Sequence, residues 1–248
     1  MKRIAIVLLI IILLVAIGFG IYFMFFNEKP PIEIPEPPVV DSGEELDPAE
    51  KINIETALTE TQTQRRFVNV KMPTFTNLSD YSFQEIINKE IADSINPYVN
   101  EIAVVADESL PSTVKYKYEV SFERFNNENY ISLVVLQNYA TGGMRSNTWK
   151  DTYTIDVLNN RKITLADICD FEDYKEVIVE EVNRQADENN ISLIAGNGLS
   201  DIPDTQRFYI KDEKLYIYFE PASIAPYLDG EMHFKMPFDY EDGKFILD

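Results

Sequence analysis

The residue pattern predicts an α+β fold: a mostly antiparallel sheet packed against one long and one shorter helix, after an N-terminal transmembrane helix. Three observations carry this. Residues 4–26 form an unbroken apolar run without a charge, and its roughly 35 Å of helix would cross a hydrocarbon core of about 30 Å. Between residues 79 and 107, Ile87, Ile91, Ile95, Val99 and Ile102 recur at the spacing of one helix face. Around that helix stand several stretches of alternating apolar and polar residues separated by short turns, the mark of hairpin-linked strands. Helices inserted between runs of such strands belong to an α+β architecture.

The apolar run is led in by Lys2 and Arg3 and ends in Tyr22, Phe23, Met24, Phe25 and Phe26. No small-residue cleavage site of the secretory type follows it. It reads as an uncleaved anchor, and the positive charges on its short side place residues 1–3 in the cytoplasm and the main domain outside. Residues 27–50 are rich in proline and acidic side chains, with Lys29 the one cation, and read as a stiff, self-repelling stalk. Residues 51–248 are then a single extracytoplasmic domain of ordinary size.

Within that domain, residues 66–72 alternate, with Val68, Val70 and Met72 on one face, and form a first strand that Pro73 closes. The helix of residues 79–107 follows. Its apolar stripe stays in phase across Pro97, which implies a kink rather than a break. Residues 113–125 alternate most cleanly, with Val114, Tyr116, Tyr118, Val120 and Phe122 set against charged or polar neighbours. After a turn at 126–129, residues 130–138 return with Leu133, Val134, Val135 and Leu136 in succession, as in a central strand buried on both faces. A glycine turn at Gly142 and Gly143 leads to a strand over 152–157 and a tight turn at Asn159 and Asn160. Phe171, Tyr174, Ile178 and Val182 mark the shorter helix, led by Asp170 with Asp173 in its first turn. Residues 189–204 read as a polar, glycine-containing loop, and strands over 208–211, 215–220 and 231–238 follow.

Charge and composition narrow the function. The chain carries −20 at pH 7, and the part beyond Lys2 and Arg3 carries −22. Such a surface repels phosphate backbones and anionic polymers and attracts cationic proteins, most strongly at low salt. Nucleic acid is excluded as a natural partner. Cys169 is the one cysteine and His233 the one histidine, so no intrachain disulfide, multi-histidine zinc site or histidine-based triad is expected. Cys169, following Leu165 and Ile168, reads as a small buried hydrophobe. His233, alternating with Met232 and Phe234, reads as a solvent-facing strand residue. Among 42 acidic residues some pair falls at glycosidase spacing by chance, so no catalytic residue, metal ligand or cofactor is assigned. The candidate binding residues are Gly142, Gly143, Met144, Arg145 and Trp149 in one turn, and Pro221, Pro226 and Tyr227 in one bend. A turn held by two strands presents a cation and aromatic side chains at a rim.

The same residues carry a family resemblance. The stretch 139–168 contains Thr141-Gly142-Gly143, then Thr152-Tyr153-Thr154-Ile155-Asp156, then Ile163-Thr164-Leu165-Ala166-Asp167-Ile168. A second stretch runs from Phe208-Tyr209-Ile210 through Leu215-Tyr216-Ile217-Tyr218-Phe219-Glu220-Pro221 to Met236-Pro237-Phe238. Together they resemble an extracytoplasmic domain family of mainly Gram-positive bacteria. Its members include the C-terminal domain of the lysozyme-sensing anti-sigma factor RsiV and the non-catalytic N-terminal region of a peptidoglycan deacetylase. Residues 66–107 look like the companion region that precedes this domain. The resemblance implies a receptor or wall-associated domain, in some members a binder of lysozyme. Where family members often have Gly-Gly-Ala-His, this chain has Gly142-Gly143-Met144-Arg145, so a contact made by that histidine does not carry over. Three residues before the anchor are too few to hold a sigma factor, and the deacetylase's metal-binding domain is not expected here.

The expected function is therefore a non-enzymatic, membrane-tethered binding domain facing the cell wall. Its ligand would be a cationic wall-active protein such as lysozyme, or peptidoglycan. The alternatives are a wall-glycan hydrolase using a carboxylate pair, and a structural subunit pairing with another membrane protein through residues 4–26, where Gly18 and Gly20 offer a weak packing hint.

Overall fold

The computed structural model describes residues 47–108, 115–142, 146–194, 198–226 and 232–247. The predicted anchor, and the predicted stalk up to Leu46, lie outside them. A compact unit spans Leu46–Asp248 and opens with a 3₁₀ turn, Pro48–Lys51. Ala49 in that turn is fully buried, its N–H donating to the Glu128 carbonyl at 3.1 Å and its carbonyl accepting from Arg124 Nη2 at 2.7 Å. Residues 47–50, read from sequence as the end of the stalk, thus pack onto the domain. Among the described residues no helix is long and apolar enough to cross a membrane.

Six strands form the larger sheet in chain order: β1 (Asn53–Gln62), β2 (Arg66–Thr76), β3 (Tyr116–Asn127), β4 (Tyr130–Ala140), β5 (Asn147–Asp156) and β6 (Arg161–Lys162). Every neighbouring pair is antiparallel except β2 with β3. A parallel step needs a crossover, and the long helix α1 (Tyr81–Glu108) supplies it. Asp80 starts that helix: its Oδ1 accepts from the backbone of Ser82 at 2.8 Å and Phe83 at 3.1 Å, satisfying two of the free first-turn N–H groups. The helix runs through Pro97 without a break, as the in-phase stripe requires. Ile87, Ile91, Ile95 and Ile102 are fully buried against Val70, Tyr118, Val120, Leu133, Val135 and Ile155 of the sheet.

Several strands differ from the expectation: β5 begins at Asn147 rather than at 152, β6 was not expected, the strand expected over 231–238 ends at Lys235, and the largest differences are at β1 and β2. Residues 53–62, given no element by the sequence, form the edge strand β1, and β2 continues through Pro73, which pairs with Thr56. Strand β3 pairs with β2 only from Arg66 to Val70. Pro73 therefore sits where β2 has lost its second neighbour, and its missing N–H interrupts no ladder.

Strand β4 is buried on both faces as predicted. Ile131, Leu133 and Val135 point toward α1, while Ser132 and Val134 lie under a second sheet. That sheet comprises β7 (Phe208–Lys211), β8 (Lys214–Phe219) and β9 (Met232–Lys235), all antiparallel. Strand β7 lies across β3, β4 and β5, with the Ile210 N–H donating to Ser132 Oγ at 2.9 Å and the Tyr209 ring stacked 5.9 Å from Phe125. The far face of the small sheet is apolar and packs Ile217 and Phe234 against Ile178, Val182 and Ala186 of the shorter helix α3 (Tyr174–Glu188). The layers are thus α1, six-stranded sheet, three-stranded sheet, α3.

Helix α3 is preceded by Asp173 rather than by Asp170. The Asp170 N–H is used elsewhere, donating to the Phe245 carbonyl at 2.9 Å beside a bridge between Cys169 and Phe245. A one-turn helix α2 (Leu165–Ile168), with a Thr164–Asp167 capping box, leads into that bridge. Cys169 is buried, and burial pushes its thiol up to about 12; His233 is exposed. The described chain closes with a hairpin the sequence reading did not assign, β10 (Asp239–Glu241) and β11 (Lys244–Ile246), turning through Asp242 and Gly243, both at positive φ.

Candidate functional site

The free edge of β5 determines where the site forms. Strand β6 pairs with β5 only at Ile155 and Asp156, so the N-terminal half of β5 is a sheet edge, and an edge must be covered or blunted. Side chains from the second half of the chain do this. Tyr218 OH accepts from the Lys150 N–H at 2.9 Å, and Arg207 Nη1 donates to the Lys150 carbonyl at 2.9 Å. Beside this edge, between α1, β5 and the pair Glu220–Pro221, a cleft of about 690 Å³ opens.

One wall of the cleft is aromatic. The Trp149 ring, on β5, packs 4.9 Å from Tyr98 of α1 at an interplanar angle of 52°. Tyr98 in turn lies 5.7 Å from both Tyr118 and Tyr139. Tyr98 and Trp149 are half-buried and line the cleft, whereas Tyr118 and Tyr139 back them from the core.

Beneath the cleft runs a buried polar chain. Tyr118 OH donates to Gln137 Oε1, Gln137 Nε2 donates to Asp151 Oδ2 at 2.5 Å, and Arg207 Nη2 meets Asp151 Oδ1 at 3.0 Å. Arg207 also pairs with Glu220 through Nη1. Tyr118 and Gln137 are fully buried and Asp151 nearly so; polar groups so placed are tolerable only when each finds a partner, as here. Burial raises the Asp151 carboxyl above the ordinary carboxylate value, with Arg207 and hydrogen bonds from Gln137 and Ser94 pulling the other way. Burial likewise pushes Tyr153 up to about 12, and burial plus its bond to Glu101 pushes Tyr139 up to about 12. These phenols stay protonated and act as donors at neutral pH.

Asp93 and Glu101 from α1 and Glu220 from the second half stand around the opening. The cleft therefore combines an aromatic wall, an acidic rim and a rigid hydrogen-bonded floor. Among the described residues no group of three or more histidine, cysteine, aspartate or glutamate side chains is arranged to hold a metal ion.

Of the residues singled out from sequence, Trp149 and Pro221 are brought together on this cleft although 72 positions separate them. Trp149 sits within β5, its side chain packed toward α1, and not in the turn proper. Gly142 follows β4 at φ 78. Pro226 is exposed and does not line the cleft. Gly143, Met144, Arg145 and Tyr227 lie outside the described residues. Sequence reasoning missed Tyr98, Asp151, Arg207 and Glu220. Tyr98, directly after Pro97 and one step from the buried stripe, held the one usable signal: an aromatic at the margin of a helix's packed face.

Two family models each match part of the chain. Residues 59–148 match the family model described as Deacetylase PdaC, and residues 166–239 match the model described as a protein of unknown function, DUF3298. No curated protein matches the sequence. A DUF3298 family member from Bacteroides fragilis has the same fold, with a TM-score of 0.58 and 14% identity over 77% of this chain and 92% of that one. A DUF3298 family protein from Pseudomonas aeruginosa gives a TM-score of 0.56 and 11% identity over the same shares. The two matched regions overlap the stretches that carried the resemblance, 66–107, 139–168 and 208–238, and support its deacetylase-related part. The cleft lies where they meet: Asp93, Tyr98 and Glu101 belong to the first, Arg207, Glu220 and Pro221 to the second, and Trp149 and Asp151 to the strand between.

Proposed function

We propose that this chain is a non-enzymatic binding module, held on the outer face of a cell membrane by residues 4–26 and displayed beyond an acidic, proline-rich stalk. Its ligand is a cell-wall-associated molecule, a cationic wall-active protein such as lysozyme or peptidoglycan itself, seated at the cleft beside β5. The observation that carries this reading is the cleft: an aromatic pair and acidic rim on a floor fixed by Asp151 and Arg207. Rigid concave surfaces with exposed aromatics and a few convergent polar groups are the usual form of a binding site. The charge of −20 and the resemblance to wall-associated domains support the class of ligand.

A carboxylate with a raised pKa in a cleft also suits a hydrolase. Against that, both Asp151 oxygens are engaged by Arg207 and Gln137, the arrangement of a structural clamp. Isothermal titration of the detergent-solubilised full chain with hen lysozyme and with soluble peptidoglycan fragments, at physiological salt, tests the proposal. Saturable heat with either, together with no turnover of labelled peptidoglycan, is expected. Turnover that disappears in Asp151→Asn would replace the binding reading with the enzymatic one, and absence of binding to both ligands would refute it.

A further inference from the structure

The hydrogen-bonding groups of the cleft are lopsided. Among its described lining residues Asp93, Glu101, Asp151 and Glu220 are carboxylates, and Arg207 is the one cation. That guanidinium is already committed, to Asp151, to Glu220 and to the Lys150 carbonyl, so it is poorly placed to receive an anion. The carboxylates at the mouth are solvent-facing, with Asp93 and Glu220 side chains 63% and 52% exposed. Asp93 pairs with Lys89, Glu220 with Arg207, and Glu101 accepts from the Tyr139 hydroxyl, each keeping acceptor sites open, and the lining stays net negative with Lys89 counted. These carboxylates line the same cleft as Tyr98 and Trp149, whose π-systems are themselves negative on the face. Acceptors and ring faces together suit a ligand group that is flat or compact, positively charged and rich in N–H donors.

We propose that the cleft takes a basic side chain of a protein partner, an arginine guanidinium or lysine ammonium packed on the Tyr98–Trp149 pair and ringed by Asp93, Glu101 and Glu220. This rests on the binding role assigned to the cleft above, and decides between its two ligand classes. Peptidoglycan stem peptides carry more free carboxylates than amines and are net anionic, so they meet a wall of like charge here; a strongly cationic protein meets complementary charge.

Trp149 is the one tryptophan of the chain, so its fluorescence reports on the cleft without labelling. The test titrates the detergent-solubilised full chain with an acetylated, amidated tetra-arginine peptide, a tetra-glutamate peptide and a disaccharide-pentapeptide muropeptide. The arginine peptide should change Trp149 emission saturably, more weakly as salt rises, and the glutamate peptide should not. Asp93→Asn with Glu101→Gln, both at solvent-facing positions, should weaken the arginine peptide about fivefold, as expected of two rim charges. Glu220→Gln provides an independent second variant, and an unchanged thermal midpoint verifies each fold. No response to the arginine peptide, or a response that none of these variants weakens, overturns the proposal. A response to the muropeptide alone also overturns it while leaving the cleft as the binding site. Silence from all three probes, together with no calorimetric binding, removes both readings.

Discussion

Replacing Arg207 by methionine tests the floor of the cleft most severely. The substitution keeps much of the aliphatic stem but removes the partner of Asp151, a carboxylate 8% exposed. Breaking a buried pair from one side costs about 3–5 kcal/mol, because the remaining charge is left uncompensated. Arg207 itself is 35% exposed, and solvent screening reduces the figure to about 2–3 kcal/mol. The cost must also depend on pH. Burial already holds the Asp151 carboxyl above its ordinary value of 3.8. A carboxyl raised in the folded state contributes stability that is complete below the unfolded value and is lost as pH rises through the folded one. Arg207 opposes the rise, so its removal moves the folded value further up and enlarges the loss at neutral pH. Urea unfolding of Arg207→Met should therefore show a deficit of about 2–3 kcal/mol at pH 7 that shrinks toward pH 4. A deficit under about 1 kcal/mol at pH 7, or one that stays constant with pH, would refute the clamp.

Three further outcomes follow from the packing. Ile91→Ala, at a fully buried position of α1, should cost about 3–4 kcal/mol in urea unfolding; a cost below about 1 kcal/mol would mean that α1 is not docked on the sheet as described. Gly198→Ala places a methyl group 2.6 Å from Asn183 Oδ1 at a backbone φ of +86, and Asn183 holds Leu199 by bonds of 2.7 and 2.8 Å. It should lower stability by about 1–3 kcal/mol, seen as a lower thermal midpoint, and an unchanged midpoint would contradict the packing of this loop on α3. The Cys169 thiol, buried and pushed up to about 12, should react with a thiol reagent at pH 8 only after unfolding; rapid labelling of the folded chain would place it elsewhere.

Much of this fold was legible because its elements have one wet face and one dry face. The stripe from Ile87 to Ile102 and the alternation from Tyr116 to Phe122 each write burial directly into residue order. The apolar run Leu133 to Leu136 announced a strand covered on both sides, as the α1 layer and the small sheet confirm. Strand β1 was illegible for the opposite reason. It is an edge strand exposed on nearly all its length, so Glu55, Thr56, Ala57 and Leu58 show no alternation to read. The β10–β11 hairpin was missed although Asp242-Gly243 is a favoured pair for a tight strand turn; its strands are only three residues each.

Of the candidate site, two lining residues were legible. Trp149 and Pro221 stood out by residue type and by their place at turns. Asp151 and Arg207 did not, because nothing in their spacing reveals that 56 residues apart they form one ion pair. That pairing comes from β7 crossing β5, a tertiary event with no local pattern. Similarly, the role of Tyr218 depends on the edge of β5 being left open by the shortness of β6.

The most direct test of the binding role is the ¹⁹F NMR spectrum of the full chain carrying 5-fluorotryptophan, which gives one signal because Trp149 is the one tryptophan. Lysozyme or a peptidoglycan fragment, whichever gives saturable heat in calorimetry, should shift that signal in proportion to occupancy. Saturable heat from a ligand that leaves the Trp149 resonance unmoved would place the binding surface elsewhere and contradict the assignment of the cleft.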